Sequence, residues 1–386
     1  MIDRKLFQKT FSTLHASPDT LSEVYKVVRK EHKHRHPLSK GMLVAAVLAM
    51  CITVAGAVGI ATLIKADVAP ADSITDADRN AFDKDTVGSD TPLVLGNDGQ
   101  PISLPRMERA STDTATVQHL LGDYLCTVNA TMEVDGYTIK LNTFLIDENG
   151  SGFLTYTLSN PNGVEPDENG YGEVYTPLDP SLIIGDDLQS YKYMDAKTYL
   201  DTAATTDTEM HLVLYFSDFG HWHKGDDLIF AVKPQYVEGN PDALTWGGSI
   251  SISPIAYLPV TTFTSENGST VSVSALGMRV NAPADITNQI SDMNTKELVL
   301  HMKDGSHFAV MSDRENVMNW VVGLGTVDEN HDVNGLGYSF NRLVDVDEIE
   351  SVTAEGYTMV FLTPFTGLED KMPDTKDIDF HYTYTR

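Results

Sequence analysis

Three hydrophobic patterns follow one another along the chain. Near the start, apolar residues recur at helical spacing. Leu6, Phe7, Phe11 and Leu14 share one stripe of a helix predicted over 3–14, and Leu21, Val24, Tyr25 and Val28 share a stripe of a second over 18–31. Between them, Ser17-Pro18 supplies an N-cap followed by proline at the first helical position. Residues 42–64 are then uncharged and almost wholly apolar. A helix of that length is roughly 34 Å long and covers a hydrocarbon core of about 30 Å. Only a helix satisfies its own backbone in lipid, so a transmembrane helix is predicted over 42–64. A secretory signal peptide needs a shorter apolar core and a short basic lead, and about forty residues precede this one.

Past residue 122 the period changes to two. Strands are predicted over 127–134, 137–146 and 152–158, separated by the turn signals Asp135-Gly136 and Asp147-Glu148-Asn149-Gly150. A Pro, Gly and Asp-rich loop over 160–172 follows, then strands over 211–216, 227–236 and 249–257. The pattern restarts after Pro259, with strands over 270–280, 297–302, 307–311, 338–343, 358–362 and 379–384 and a turn at Asp304-Gly305. Residues 65–116 are rich in Asp, Ala, Thr, Ser and Pro and read as a stalk or linker. Within it, 92–104 forms a small hairpin or tether, and 117–121 one short helix. The expected fold class is mainly β, with two β-sandwich-like extracytoplasmic domains after one transmembrane helix and a short helical N-terminal segment. The expected boundaries are 1–41 cytoplasmic, 42–64 membrane, 65–116 linker, 117–258 first β domain and 259–386 second β domain.

Charge orients this arrangement. Of 386 residues, 27 are Lys or Arg and 55 are Asp or Glu, a net of −28. Residues 1–41 hold nine Lys/Arg and four acids, a net of +5, while residues 65–386 carry a net of −33. Basic flanks stay on the cytoplasmic side, so the N-terminus is placed inside and the β domains outside. A chain this acidic does not suit nucleic acid, whose phosphates need basic patches. Cys51 lies in the apolar run and Cys126 in the outer part, so they do not pair, and Cys126 reads as a small core residue.

The search for chemistry finds no phosphate loop, nucleophile elbow or zinc-protease motif. The cluster His32-Lys33-His34-Arg35-His36 mixes imidazoles with cations that oppose metal binding, and reads as solvated juxtamembrane charge. His221-Trp222-His223 places two imidazoles on one face of a strand, with Asp218 or Asp226 as further ligands, or else sits in an exposed loop. Acidic clusters at 147–149, 167–170, 328–330 and 345–348 lack the calcium-loop spacing and read as turns. No metal, cofactor or catalytic group set is expected. Gly41, Ala45, Ala49 and Thr53, with Ala55 and Gly59, repeat small residues every fourth position, which allows self-association through the membrane helix.

Several stretches carry a resemblance. Residues 11–21 (Phe-Ser-Thr-Leu-His-Ala-Ser-Pro-Asp-Thr-Leu), followed by a basic run and one span, resemble the start of a Gram-positive single-pass membrane family. That family joins a short helical cytoplasmic segment to an extracytoplasmic β domain of unknown function. The stretches 122–129, 135–141, 154–158, 298–306 and 340–349 are similar to its outer domain. The resemblance implies a membrane-anchored anti-sigma factor that holds an extracytoplasmic-function sigma factor at the membrane. The chain departs from the zinc-containing branch, because it lacks His-x-x-x-Cys-x-x-Cys.

The two amphipathic stripes cannot be buried by so small a segment alone. They lie on anionic lipid, or they dock into a cytosolic partner such as a sigma factor or other regulator. On the second reading Leu6, Phe7, Phe11, Leu14, Leu21, Val24, Tyr25 and Val28 are the contact residues, and the protein is a non-enzymatic signalling regulator. The rival is a cell-surface binding or adhesion protein with a merely anchoring tail.

Overall fold

Alternating stretches become strands where turn residues bound them, and the described residues are built mostly this way. A computed structural model describes residues 63–81, 92–95, 101–103, 105, 107, 112–165, 167–168, 173–186, 188, 192–218, 220–237, 240–281, 290–327, 333–361 and 374–386. The predicted cytoplasmic helices and residues 42–62 of the predicted span lie outside the described residues, as do the eight stripe residues Leu6 to Val28. Among the described residues no helix is long and apolar enough to cross a membrane.

The chain opens with β1 (Leu63–Lys65) and β2 (Asp67–Pro70), then the hairpin β3 (Pro92–Leu95) and β4 (Pro101–Ser103). There follow β5 (Cys126–Val134), β6 (Tyr137–Ile146), β7 (Gly152–Ser159) and the short pair β8 (Asp167–Glu168) and β9 (Val174–Tyr175). β10 (Ser181–Ile184), β11 (Tyr193–Leu200), β12 (Glu209–Ser217), β13 (Leu228–Val237) and β14 (Asn240–Ile252) complete the first module. The second holds β15 (Thr261–Ser265), β16 (Thr270–Val273), β17 (Gly277–Asn281), β18 (Ile290–Met302) and β19 (His307–Ser312). It continues with β20 (Val317–Met318), β21 (Trp320–Val327), β22 (Val333–Phe340), β23 (Ile349–Phe361) and β24 (Thr375–Thr385). Two short helices, α1 (Asp76–Asn80) and α2 (Thr114–Leu121), precede β5.

Each module is built on one ten-stranded sheet, with β3–β4 and β8–β9 as separate two-stranded pairs. The first runs β1-β14-β13-β10-β11-β12-β7-β6-β5-β2 and the second β20-β19-β18-β23-β24-β15-β16-β17-β22-β21. Pairing is antiparallel except for β1, which lies parallel to β14 with Leu63 opposite Ser249. The sheets curl into barrel-like shapes, a correction to the expected pair of sandwiches. The physical reason in the first module is a close approach of β14 to β5. A Cβ on Gly248 would stand 2.6 Å from Val134 Cγ2 and 2.9 Å from Met132 Sδ, so only glycine permits it. A further correction concerns 270–280, predicted as one strand. It is the hairpin β16–β17, because Ser274 N–H bonds to Gly277 C=O at 2.8 Å and turns the chain. The Asp135-Gly136 turn is as expected, with φ of 51° and 81° at the two residues, the positive pair that a tight hairpin requires.

The interior of each curl is a separate core. Phe144 stacks on Phe216 at 5.8 Å and Tyr156 tilts on Phe230 at 5.3 Å in the first; Phe308 meets Phe340 edge-on at 5.5 Å in the second. A third core lies between the modules. It joins Leu145, Phe153, Val213 and Tyr215 of the first sheet's outer face, Val117 and Leu121 of α2, and Ala275, Leu276, Val321 and Val322 of the second module. Both modules thus belong to one compact unit spanning Ala55–Arg386.

The segment predicted as a stalk contributes to that unit. β1 and β2 are the two edges of the first sheet, and β1 contains Leu63 and Ile64, the last two residues of the predicted span. The sheet therefore begins where the apolar run ends. α1 is closed by a reciprocal capping box: Thr75 N–H bonds to Asp78 Oδ2 at 2.8 Å, and Asp78 N–H to Thr75 Oγ1 at 3.2 Å. The predicted short helix at 117–121 begins earlier, at Thr114, because Asp113 caps it through Thr116 N–H at 2.9 Å.

Candidate functional site

The outer face of strands β5, β6, β7 and β12 changes character along its length. Phe153, Leu145, Val213 and Tyr215 cover one end and are sealed by α2 and the second module. At the other end the registered rows are polar. One row runs Thr131, Lys140, Thr157, His211 across four strands, and the next runs Glu133, Thr138, Ser159, Glu209. All of these but Glu133, with Asn142, Thr143, Thr155 and Thr75, line a groove of about 520 Å³. Period-two geometry puts the strand residues of each row on one face, and a register shift between Leu141 and Thr143 brings Thr143 there beside Asn142, while the alternate residues Ile139, Leu141, Tyr156 and Leu158 enter the first core.

The groove floor is a chain of short hydrogen bonds. Asp78, only 1% exposed, accepts from Thr143 Oγ1 at 2.5 Å and from Thr75 Oγ1 at 2.6 Å; Thr143 and Thr155 hydroxyls meet at 2.5 Å. Asn142 Nδ2 donates to Thr157 Oγ1 at 3.0 Å, Thr138 Oγ1 donates to Glu133 Oε1 at 2.6 Å, and His211 Nε2 lies 2.9 Å from Glu209 Oε1. The polar groups of the wall are thus partnered with one another.

A second concavity of about 730 Å³ opens beside the β8–β9 pair, lined by Tyr137, Asn162, Gly163, Val164, Glu165, Tyr175, Thr176, Pro177 and Asp207. Tyr175 is 56% exposed, one of three large hydrophobic residues exposed among those described.

The residues singled out for metal chemistry hold structure instead. Asp218 accepts the backbone N–H groups of Gly220, His221 and Trp222 at 2.6, 3.1 and 2.9 Å, and Asp226 accepts that of His223 at 2.9 Å. Both carboxylates thus close the loop that carries His221 and His223. Among the described residues no group of three or more His, Cys, Asp or Glu is placed to hold a metal ion. Asp345 caps a single turn over Val346–Glu348, and Cys126 is buried, its thiol pKa raised by desolvation.

The acidic turn at 147–150 does something sequence reasoning missed. Asp147 is fully buried at the seam between modules. Its Oδ1 accepts N–H bonds from Asn149 and Ser151 at 2.9 and 2.8 Å, and its Oδ2 accepts from Ser274 Oγ of the second module at 2.6 Å. Burial pushes its pKa up to about 6 against the opposing pull of those hydrogen bonds. Asn149 and Ser272 exchange two bonds across the same seam, and Ser339 Oγ donates to Phe216 C=O at 3.1 Å. The β14–β15 connection threads the seam too: Leu258 is buried in the third core and forms a bridge to Asp147. The signal was present in the sequence as a turn motif, but its partner Ser274 lies 127 residues away.

No protein-family model matches the chain, and no curated protein matches it. Among solved structures, the conserved domain protein from Bacillus anthracis is similar, at 10% identity and a TM-score of 0.37, covering 67% of this chain and 89% of that one. A likeness at that level carries no argument about function.

Proposed function

We propose that the protein is a non-enzymatic, single-pass membrane signalling regulator. In this reading residues 1–41 are cytoplasmic and bind a sigma factor or similar regulator in the anti-sigma manner, and the acidic β unit stands outside as sensor. The observation that supports it is the placement of β1. A surface adhesin gains reach from a long stalk, whereas here the last two residues of the apolar run, Leu63 and Ile64, and the Lys65 that follows are already paired to β14. A load or ligand-induced change in the first sheet is thereby coupled to the predicted membrane helix without a slack linker. The charge asymmetry of +5 before the run and −33 after it supports the orientation.

The test uses the full chain in detergent. Wild type is expected to co-purify a sigma factor, and Phe11→Asp/Val24→Asp to lose it. Each buried large side chain contributes about 1.5–3 kcal/mol, so the double change weakens binding by a factor on the order of a hundred or more. Absence of any specific cytosolic partner with wild type refutes the regulator and leaves the surface-binding protein. A flexible six-residue Gly/Ser insertion between Thr62 and Leu63 tests the coupling: it should abolish signal-dependent release while leaving partner capture intact.

A further inference from the structure

The concavity beside β9 brings aromatic and acidic side chains together. Two tyrosines face it with two carboxylates, Glu165 and Asp207, and among the described residues no Lys or Arg lines it. Among the described residues neither carboxylate forms an ion pair, although the flanking segments do. Lys197 pairs with Glu173, two residues before Tyr175, at 3.3 Å, and Lys233 pairs with Asp135, two residues before Tyr137.

The walls are held from behind. Val164 and Val174 are buried in the first core, and each is followed by a lining residue, Glu165 and Tyr175, that faces out. Val164 N–H bonds to Asp207 C=O at 2.9 Å, and Gly163 N–H to Asn160 C=O at 3.0 Å, which ties the two acidic segments together. Tyr137 leans on the core with its inner side. The braced backbone presents the exposed Tyr175 ring to the cavity beside the two carboxylates.

We propose that this cavity binds the cationic side chains of a basic peptide segment. A guanidinium or ammonium group over a tyrosine face is attracted by the ring quadrupole, and the carboxylates add charge and hydrogen-bond acceptors. The net −33 of residues 65–386 draws such a segment in and repels acidic ones. The volume of about 730 Å³ exceeds one side chain, and two rings with two carboxylates suit two cationic residues of one peptide better than a lone amine. The proposal is independent of what residues 1–41 bind.

The experiment titrates tri-arginine amide into the full-length protein in detergent micelles, followed by calorimetry. Saturable one-site binding is expected. Tyr175→Ala should weaken it about five- to thirtyfold, the loss of one cation–ring contact, while Tyr175→Phe retains it. Glu165→Gln/Asp207→Asn should weaken it at least as much, and Glu266→Gln, an exposed carboxylate in the β15–β16 turn, should not. Tyr175→Ala changes no charge, so equal binding by it and wild type would show diffuse attraction to an acidic protein and overturn the site. Failure of wild type to bind tri-arginine overturns it as well. So does Tyr175-dependent binding of neutral chitotriose in its place, which would assign the cavity to a glycan.

Discussion

Replacing Asp147 by asparagine and by alanine separates its charge from its hydrogen bonds. The folded carboxyl titrates near 6 because it is buried, against an ordinary value of 3.8. A raised carboxylate pKa means the folded state binds the extra proton between those values, so this group's contribution to stability increases as pH falls. Its ionised form weakens the fold above the folded value, and that penalty disappears below the unfolded one. Going from about pH 7.5 to about pH 4.5 the group should add on the order of 2 kcal/mol of stability. Asparagine keeps the acceptor for Asn149 and Ser151, and its amide N–H can donate to Ser274 Oγ, which then turns toward Gly277 C=O, now 3.4 Å away. Asp147→Asn should therefore be neutral or stabilising at neutral pH and lack this part of the pH dependence. Asp147→Ala strands two buried N–H groups and a hydroxyl and should cost about 2–5 kcal/mol. The assay is urea unfolding of all three proteins across the pH range. Subtracting the Asp147→Asn curve from that of wild type cancels the titration of the many surface acids. A flat difference curve would refute the buried-charge argument, and full tolerance of Asp147→Ala would refute the latch.

Other consequences are equally direct. Gly152→Ala would place a Cβ 2.1 Å from Leu145 C=O and against Phe216, and should lower stability by about 1–3 kcal/mol in the same urea assay. Asp78→Ala removes the partner of Thr75 and Thr143 and should cost about 2–4 kcal/mol, with the loss read as a lower urea midpoint. Protease added to intact cells should digest residues beyond the apolar run and leave a membrane-bound N-terminal fragment, detected by an N-terminal epitope; protection of the β unit would reverse the proposed orientation. Chelation should leave the melting temperature unchanged, whereas a tight native-state calcium site would raise stability by roughly 2.7 kcal/mol at a hundredfold excess over its Kd.

The sequence showed its strands best where alternation was clean. The stretches 137–146 and 152–158 alternate and are β6 and β7, nearly to the residue. Their polar halves, Thr138 and Lys140 on one and Thr155 and Thr157 on the other, are the groove, but nothing in one strand says which rows it will meet on the next. β10 and β11 were missed because Ser181–Ile184 is only four residues long and Tyr193–Leu200 carries Asp195 and Lys197. The stalk reading of 65–70 failed for a related reason: an edge strand needs polar residues on its open side, so Lys65 and Asp67 suit an edge as well as a linker. Local composition cannot distinguish the two, because the difference lies in whether β14 and β5 are present to pair with it.

The same long-range pairing gives the seam its meaning. β1 lies on β14, β14 leads through buried Leu258 into the third core, and Leu258 bridges to Asp147, whose carboxylate holds Ser274 of the second module. A packed path therefore runs from the end of the apolar segment to the second barrel without crossing a loose joint. Packed interfaces of this kind change between discrete arrangements instead of bending gradually, so, on the proposed sensor reading, a change in the second barrel reaches β1 only if the seam stays closed. On the proposed regulator reading, Asp147→Ala should uncouple the second barrel from partner release while a Gly/Ser insertion before Leu63 uncouples both. A protein whose outer part served only to hold a surface ligand would bind it equally well after either change.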